Sequence, residues 1–237
     1  MIQHHPIATQ IYNLLIKDEI TKQEGEIIVN FFNISVKINE KSAVGYIFEE
    51  WLAEWMRQKN INFSTKQNTQ EFPDFLIDKN SNTTGLLEIK AFYFNKSPGF
   101  DVANFEAYCD SLTTQSYRLD ADYLIFAYDM QKYKFKVKEV WIKKIWEITG
   151  KSKKYPVKCQ PKRNSLYSIR PIQWYSKKAK YRPFNSRLDF VEALYNTLKI
   201  ATRKTEESYE WLHKVGGCDG WLQKVKDNYL LHTGEEL

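Results

Sequence analysis

The chain has 237 residues, enough to bury a full hydrophobic core as one domain or as a domain with a large appendage. Hydrophobic residues make up 43% and aromatic residues 15% of the chain, which indicates a globular protein and excludes an intrinsically disordered one. The net charge of +6 allows nucleic-acid binding without requiring it.

The cysteines and the apolar patterning indicate a cytoplasmic protein without membrane association. Cys109, Cys159 and Cys218 lie too far apart for a CxxC metal knuckle or a disulfide framework, which fits a reducing compartment. The first residues form neither a basic start nor an apolar run of signal-peptide length. No segment approaches the roughly eighteen apolar residues that a membrane span needs.

The first forty residues are expected to form an N-terminal helical segment. Over residues 7–20 the apolar side chains recur at helical spacing, for example at Ile7, Ile11 and Leu14. The apolar stretch 27–38 fits either a helix or a strand, because its periodicity does not decide between them.

A second helix is predicted over residues 42–59. Ser42 can cap its start, and the apolar residues from Val44 onward recur one turn apart and form a wide face. Glu49 and Glu50 lie on the flanks of that face. Most glutamates in such positions are only solvated.

Residues 72–92 have the pattern of two antiparallel strands joined by a turn. Two short apolar runs flank a polar segment that is rich in Asn, Ser and Thr and ends at Gly85. Residues 61–67 alternate like a strand and would precede this hairpin, so that the three strands form a meander.

Three charged side chains of the hairpin are predicted to share one small patch. Glu88 and Lys90 must point to the same face of their strand, opposite to Ile89, and the hairpin can fold Asp74 back towards Glu88. Two carboxylates suit Mg²⁺. A nearby lysine can position a water and offset charge on a phosphorane as an ammonium, or deprotonate the water as a neutral amine. The alternative is a surface hairpin with a solvated Glu–Lys pair.

The remaining core elements follow in a definite order. A break at 97–99 precedes a helix over 101–117, a buried strand over 123–128 and an alternating edge strand over 135–141. The order of helix, three-strand meander, helix, strand and strand predicts an α/β fold with a mixed sheet flanked by helices. Its core is expected to span residues 41–149.

The positive charge is concentrated in residues 150–188, which contain twelve Lys or Arg residues and no Asp or Glu. Because the whole chain is +6 and this segment is +12, the rest of the chain is −6. Interleaved aromatic residues and prolines favour an extended, DNA-binding surface over long helices, although a solvated basic loop is the alternative. The expected DNA contacts are Lys151, Lys153, Lys154, Lys162, Arg163, Arg170, Lys177, Lys178, Lys180, Arg182 and Arg187.

The last segment, 189–237, is expected to consist of C-terminal helices. A capping box at 186–189 starts the first of them, and helical patterns follow at 206–214 and 221–231. These helices suit packing on the sheet or a dimer interface. All four segments together are expected to form one compact domain.

The pair Pro73-Asp74, with Glu88-Ile89-Lys90 beginning fourteen positions after the aspartate, resembles the PD-(D/E)XK nuclease signature. The α-β-β-β-α-β core of that superfamily also matches the predicted order of elements. The resemblance implies that Asp74, Glu88 and the backbone carbonyl of Ile89 hold Mg²⁺, while Lys90 positions the attacking water. It further implies 3′-hydroxyl and 5′-phosphate products.

The helix before the sheet also resembles this superfamily. Gly45 and Glu49 have the Gly-x-x-x-Glu spacing that is often found there, and in the superfamily this glutamate adds a carboxylate to the metal site. The resemblance therefore implies a catalytic role for Glu49, whereas its position on a helix flank fits a solvated residue equally well.

Four further stretches, 96–101, 118–126, 141–150 and 182–190, are similar to a small family of type II restriction endonucleases of the NgoBV/NlaIV type. The similarity is expected to cover roughly residues 40–200. It implies cleavage of double-stranded DNA at interrupted GG…CC palindromes by a homodimer.

Competing chemistries lack the residues that they need. The four histidines lie near the termini, which excludes clustered His-based nuclease sites and His/Cys zinc sites, and the sequence has no GxxxxGK[ST] phosphate loop. Two alternatives stay open: a structure-selective or repair nuclease of the same fold, and a DNA-binding protein without catalysis.

Overall fold

A computed structural model describes residues 3–41, 44–66, 68, 71–163, 165–202 and 209–237. The helices are α1 (Pro6–Lys17), α2 (Val44–Gln58), α3 (Phe105–Ser111), α4 (Ile145–Ile148), α5 (Arg187–Thr202), α6 (Glu210–Lys214) and α7 (Gly217–Thr233). The strands are β1 (Glu24–Glu26), β2 (Ile28–Phe31), β3 (Ile34–Lys37), β4 (Phe75–Leu76), β5 (Leu86–Tyr93), β6 (Ala103–Asn104), β7 (Asp122–Gln131), β8 (Lys134–Lys143), β9 (Cys159–Lys162) and β10 (Ser165–Ile169).

The chain groups into two compact units. The first contains Met1–Pro98 and Asp122–Lys143, and the second contains Gly99–Ala121 and Lys144–Leu237. The predicted core, 41–149, therefore contributes to both units. The prediction that the chain folds as one domain stays a prediction. Among the described residues, no helix is long and apolar enough to cross a membrane.

The first unit is built on a five-stranded mixed sheet in the order β1-β8-β7-β5-β4. β5 and β7 are parallel, with Glu88 opposite Tyr123, and the other neighbours are antiparallel. The near-continuous apolar runs of β5 and β7 make them the buried central pair, because helices that cover a sheet leave no polar face on its inner strands. This is the predicted α/β architecture.

Helix α2 packs on the sheet through aromatic contacts. The ring of Phe48 stacks on Phe126 with centroids 4.6 Å apart and meets Phe135 edge-on at 5.7 Å. Each such pair contributes roughly 0.5–1.5 kcal/mol beyond the area that it buries. Helix α1 contributes Ile11 and Leu15 to the same hydrophobic cluster. These contacts fix α2, and with it Glu49, against the sheet.

One prediction for the first unit is wrong, and a second is wrong in part. The first forty residues are not a helical segment, because α1 is followed by β1 and by a hairpin of β2 and β3. Phe32 and Asn33 have φ angles of 47° and 62°, the left-handed pair that a tight two-residue hairpin turn requires. The edge-strand prediction fails only at the start of β8, where β1 pairs with its first residues and Glu24 lies opposite Lys136.

The predicted strand over 61–67 is reduced to one bridge, between Ser64 and Leu76. The backbone groups of these two residues exchange hydrogen bonds of 2.9 Å. Strand β4 is only two residues long, so it offers little ladder for a third strand of the meander. Gln67, the predicted end of that strand, and Ser42, the predicted helix cap, lie outside the described residues.

The second unit contains the three-stranded sheet β6-β10-β9 and the helices α3 to α7. Helix α3 is shorter than the predicted helix 101–117. Asn104 caps it by accepting the N–H of Ala107 at 3.0 Å. The hydroxyls of Ser111 and Thr113 bond to nearby carbonyls, a local alternative that competes with continued helix.

The predicted C-terminal helices are present. Helix α7 buries Trp221 and Tyr229 completely, and it lies between Gly216 and Gly234, whose φ angles are 88° and 73°. Such left-handed positions suit glycine, and a glycine like Gly234 is typical of a helix C-terminus. The predicted helix 206–214 is described only from Tyr209 onward, where α6 forms.

Candidate active site

Strands β4 and β5 bring the three predicted charged residues together. Asp74 immediately precedes β4, and its backbone N–H donates to Oε2 of Glu88 at 3.3 Å. The Lys90 ammonium donates to Oε1 of the same glutamate at 2.8 Å. Glu88 therefore accepts from both neighbours, which fixes its carboxylate between them.

Pro73 and Asp74 mark the limit of the ladder between β4 and β5, and Asp74 hydrogen-bonds to β5. Phe75 lies opposite Leu87, so continued antiparallel pairing would place Pro73 opposite Ile89. Proline has no N–H to donate, and the ladder stops there. The N–H of Ile89 donates instead to Oδ2 of Asp74 at 2.6 Å, which holds this carboxylate beside Glu88.

The carboxyl groups of this site are buried or half-buried, and burial disfavours their charged forms. Glu88 is only 7% exposed, whereas Asp74, Lys90 and Glu49 are half-buried. Burial, followed by the charge of Glu88, raises the pKa of Asp74 to about 7 from an ordinary value of 3.8. Burial also raises the pKa of Glu49, and the charges of Glu50 and Glu88 add to that effect.

This donor set suits a magnesium ion with few protein ligands. Mg²⁺ commonly takes one or two carboxylates and fills its other positions with water and phosphate oxygens. Asp74 and Glu88 are two adjacent carboxylates whose mutual repulsion a divalent cation would relieve. Within the described part of the chain, no three His, Cys, Asp or Glu residues form a metal-binding group. Glu49 is a third carboxyl near this pair, because the charge of Glu88 contributes to its raised pKa. Its catalytic role stays a prediction.

The predicted DNA contacts of the basic segment fall into two groups: exposed side chains, and side chains that bind other residues of the second unit. Nine of the predicted DNA contacts carry exposed side chains on the second unit, as expected for groups that meet phosphates. Part of the segment is the hairpin of β9 and β10 and not only extended loop. The exposed residues are Lys151, Lys153, Lys154, Lys162, Arg163, Lys177, Lys178, Lys180 and Arg182.

Arg170 and Arg187 are engaged within the second unit. Arg170 forms an ion pair with Asp101 at 3.0 Å and hydrogen bonds with the carbonyl of Gly99 and the side chain of Gln160. These half-buried contacts favour a structural role for Arg170.

Arg187 combines an ion pair with contacts to two aromatic rings. It pairs with Asp120 at 2.6 Å, and its guanidinium lies over the rings of Trp146 and Tyr229 at 5.3 and 4.6 Å. Its position at the start of α5 joins this helix to α4 and α7. The contacts favour a structural role over DNA contact.

The variant Arg187→Ala is expected to lower the free energy of unfolding by about 2 kcal/mol, because Asp120 loses its cation and two rings lose a stacked group. Thermal unfolding measures this. Lys178→Ala removes an exposed cation from the same segment and should stay within about 0.5 kcal/mol of wild type. An unchanged melting temperature with reduced DNA affinity would make Arg187 a DNA contact instead.

The N-terminal histidines have a role that the sequence did not indicate. His4 Nδ1 and the backbone N–H of His5 each lie 2.8 Å from a carboxylate oxygen of buried Asp122, at the start of β7. The ring of His5 also approaches Asp78, in the β4–β5 turn, at 3.7 Å. The N-terminus thus contacts both the start of β7 and the turn between β4 and β5. No motif marks such pairs, because they join residues more than seventy positions apart.

Comparison with known proteins assigns the family. A model of the NgoBV restriction endonuclease family matches residues 5–237. The chain belongs to the NgoBV restriction endonuclease family. The chain is 38% identical over 216 residues to the type II restriction enzyme NlaIV of Neisseria lactamica, covering 86% of this chain and 89% of that one. It is 35% identical over 144 residues to the type II restriction enzyme NgoBV of Neisseria gonorrhoeae, covering 60% and 82%.

The solved structure of the NlaIV restriction endonuclease is similar over 100% of this chain and 92% of that one, with a TM-score of 0.86 and 32% identity. Membership of the NgoBV family and the mixed α/β fold with C-terminal helices are thereby confirmed. The expectation that the resemblance would stop near residues 40 and 200 is wrong. The match of the NgoBV family model, over residues 5–237, includes both α1 and α7.

Proposed function

We propose that this chain is a type II restriction endonuclease that hydrolyses phosphodiester bonds of double-stranded DNA at a short palindrome, with Mg²⁺ as cofactor and as a homodimer. The observation that carries the proposal is the hydrogen-bonded cluster of Asp74, Glu88 and Lys90 at the start of β4 and on β5, in a chain of the NgoBV family. The names of its relatives support the same reaction class.

The acidic residues would hold the metal. Asp74 and Glu88 offer carboxylate oxygens, and the carbonyl of Ile89 faces the same edge as its N–H, because paired strand residues present both groups to one neighbour. When bound, Mg²⁺ supplies a Lewis acid for the scissile phosphate and lowers the pKa of a coordinated water. Glu49 would strengthen the negative potential that attracts the ion.

Lys90 would orient the attacking water. Its ammonium is half-buried, and the hydrogen bond to Glu88 at 2.8 Å fixes its position beside the carboxylates. A cation held in this way can donate to the water and offset the negative charge that grows on the phosphate oxygens. The products would carry 3′-hydroxyl and 5′-phosphate ends.

DNA recognition would use the exposed part of the basic segment. Lysines such as Lys177 and Lys178 would neutralise phosphates, and arginines such as Arg163 and Arg182 can also bond to guanine edges. A homodimer with two-fold symmetry would match a palindrome of the interrupted GG…CC type, each copy cutting one strand.

The proposal is tested by incubating the protein with a plasmid of known sequence and either Mg²⁺ or Ca²⁺, followed by sequencing of the fragment ends. Discrete fragments with Mg²⁺ and none with Ca²⁺ are expected, and aligned ends give the site. A smear would support a structure-selective nuclease instead. A Ca²⁺-dependent gel shift without any cleavage product would contradict the proposal and leave a DNA-binding protein.

A further inference from the structure

The hairpin of β2 and β3 presents one continuous apolar face to solvent. Val29 lies opposite Val36 and Phe31 opposite Ile34, so these four side chains share a face. Phe31 is 80% exposed, Ile34 62% and each valine 48%. The other face is mostly polar and includes the hydrogen-bonded pair Asn30 and Ser35.

This face is not part of the core that the described residues form. The hydrophobic cluster of the first unit takes in Ile27, at the base of the hairpin, but none of the four side chains beyond it. The hydrogen bond from the N–H of Ile38 to the carbonyl of Ile27, at 2.9 Å, closes that base. An isolated two-stranded hairpin is marginal in water, and an amphipathic hairpin normally lays its apolar face on another layer.

We propose that this apolar face binds the same face of a second copy of the chain. The inference rests on the homodimer of the proposed function and assigns its contact surface. An isologous contact needs a self-complementary patch. Here two cross-strand apolar pairs, Val29–Val36 and Phe31–Ile34, can lie on their symmetry mates without bringing like charges together.

Size and charge favour a second copy over DNA. The four side chains expose an area on the order of 400 Å², which lies in the range of the largest apolar patch of a typical monomer, a patch that is often functional. It is about half of what one partner contributes to a standard interface. The face therefore suits the apolar centre of a larger contact with a polar rim. It carries no cation, so it offers nothing to a phosphate backbone.

Sedimentation velocity over a range of protein concentrations, without DNA or metal, tests the proposal. The wild-type chain should sediment as a species with twice the 28.2 kDa mass of one chain. Ile34→Lys should weaken self-association by about 100-fold or more, because it buries an ammonium in an apolar contact. Ser35→Lys introduces the same charge on the opposite face of the same strand and should leave the dimer within a few-fold of wild type.

A second readout needs no substitution. Amide hydrogen exchange of residues 29–36 in the wild-type chain should slow as the protein concentration rises through the dissociation constant. A monomeric wild type, equal association of wild type and Ile34→Lys, or exchange that is independent of concentration would overturn the proposal. Because neither measurement involves cleavage, their failure is distinguishable from a failure of the nuclease assignment.

Discussion

Plasmid cleavage by Glu88→Ala and by Lys90→Ala is expected to fall at least about a thousandfold, with DNA affinity within a few-fold of wild type. Glu88 accepts from both Asp74 and Lys90, so its loss removes one carboxylate and releases the ammonium that it holds. Lys90→Ala removes the group that would orient water. Single-turnover cleavage rates with Mg²⁺, and filter binding with Ca²⁺, measure the two quantities separately.

Matched controls lie on the same sheet. Glu139 and Lys138 are exposed residues of β8, and Glu139→Ala and Lys138→Ala should cleave at the wild-type rate. Because Glu88 and Lys90 act as a pair, the double variant should be little worse than either single one. Normal cleavage by either single variant, or losses that multiply in the double variant, would contradict the assigned roles.

The site could be predicted because its residues are local. A single hairpin carries Asp74, Glu88 and Lys90, and the two-residue period of a strand already places Glu88 and Lys90 on one face. The proline before Asp74 has a direct consequence, since it ends the ladder and leaves the N–H of Ile89 to the carboxylate. Such features depend on spacing along the chain, which the sequence contains.

Non-local pairing could not be predicted. Strand β1 covers the edge of β8 although more than one hundred residues separate them, and its short sequence resembles a loop. Composition likewise does not distinguish Arg187 from Lys178. Arg187 is held by Asp120 and two rings, whereas Lys178 is exposed. A basic segment indicates the total charge available to DNA, whereas each side chain's partners depend on tertiary contacts.

The hairpin of β2 and β3 shows a third limit. Its alternation was ambiguous because Phe31-Phe32 interrupts the two-residue period at the turn, where both faces of the hairpin meet. Only the cross-strand register reveals that the apolar residues share one face. Sequence periodicity is thus least informative where a tight turn joins two short strands.

The stability of the metal-free protein is expected to fall as the pH rises from about 4 to about 7. The pKa of Asp74 is raised to about 7 in the folded protein, mainly by burial and then by Glu88, against 3.8 as its ordinary value. Between these values the folded state binds a proton that the unfolded state has lost, so rising pH favours unfolding. The free energy of unfolding that is lost when Asp74 ionises is on the order of a few kcal/mol, and the loss is complete above pH 7.

Thermal unfolding at pH 5 and pH 8, with and without millimolar Mg²⁺, checks this prediction. Asp74→Asn should flatten the pH dependence and stabilise the metal-free protein at pH 8, since the amide oxygen can still accept the N–H of Ile89. Asp110→Asn, at an exposed position, should behave as wild type. Mg²⁺ should raise the melting temperature of the wild type more at pH 8, because it binds the ionised carboxylates. A Mg²⁺ effect of equal size in Asp74→Asn would place the ion elsewhere in the protein.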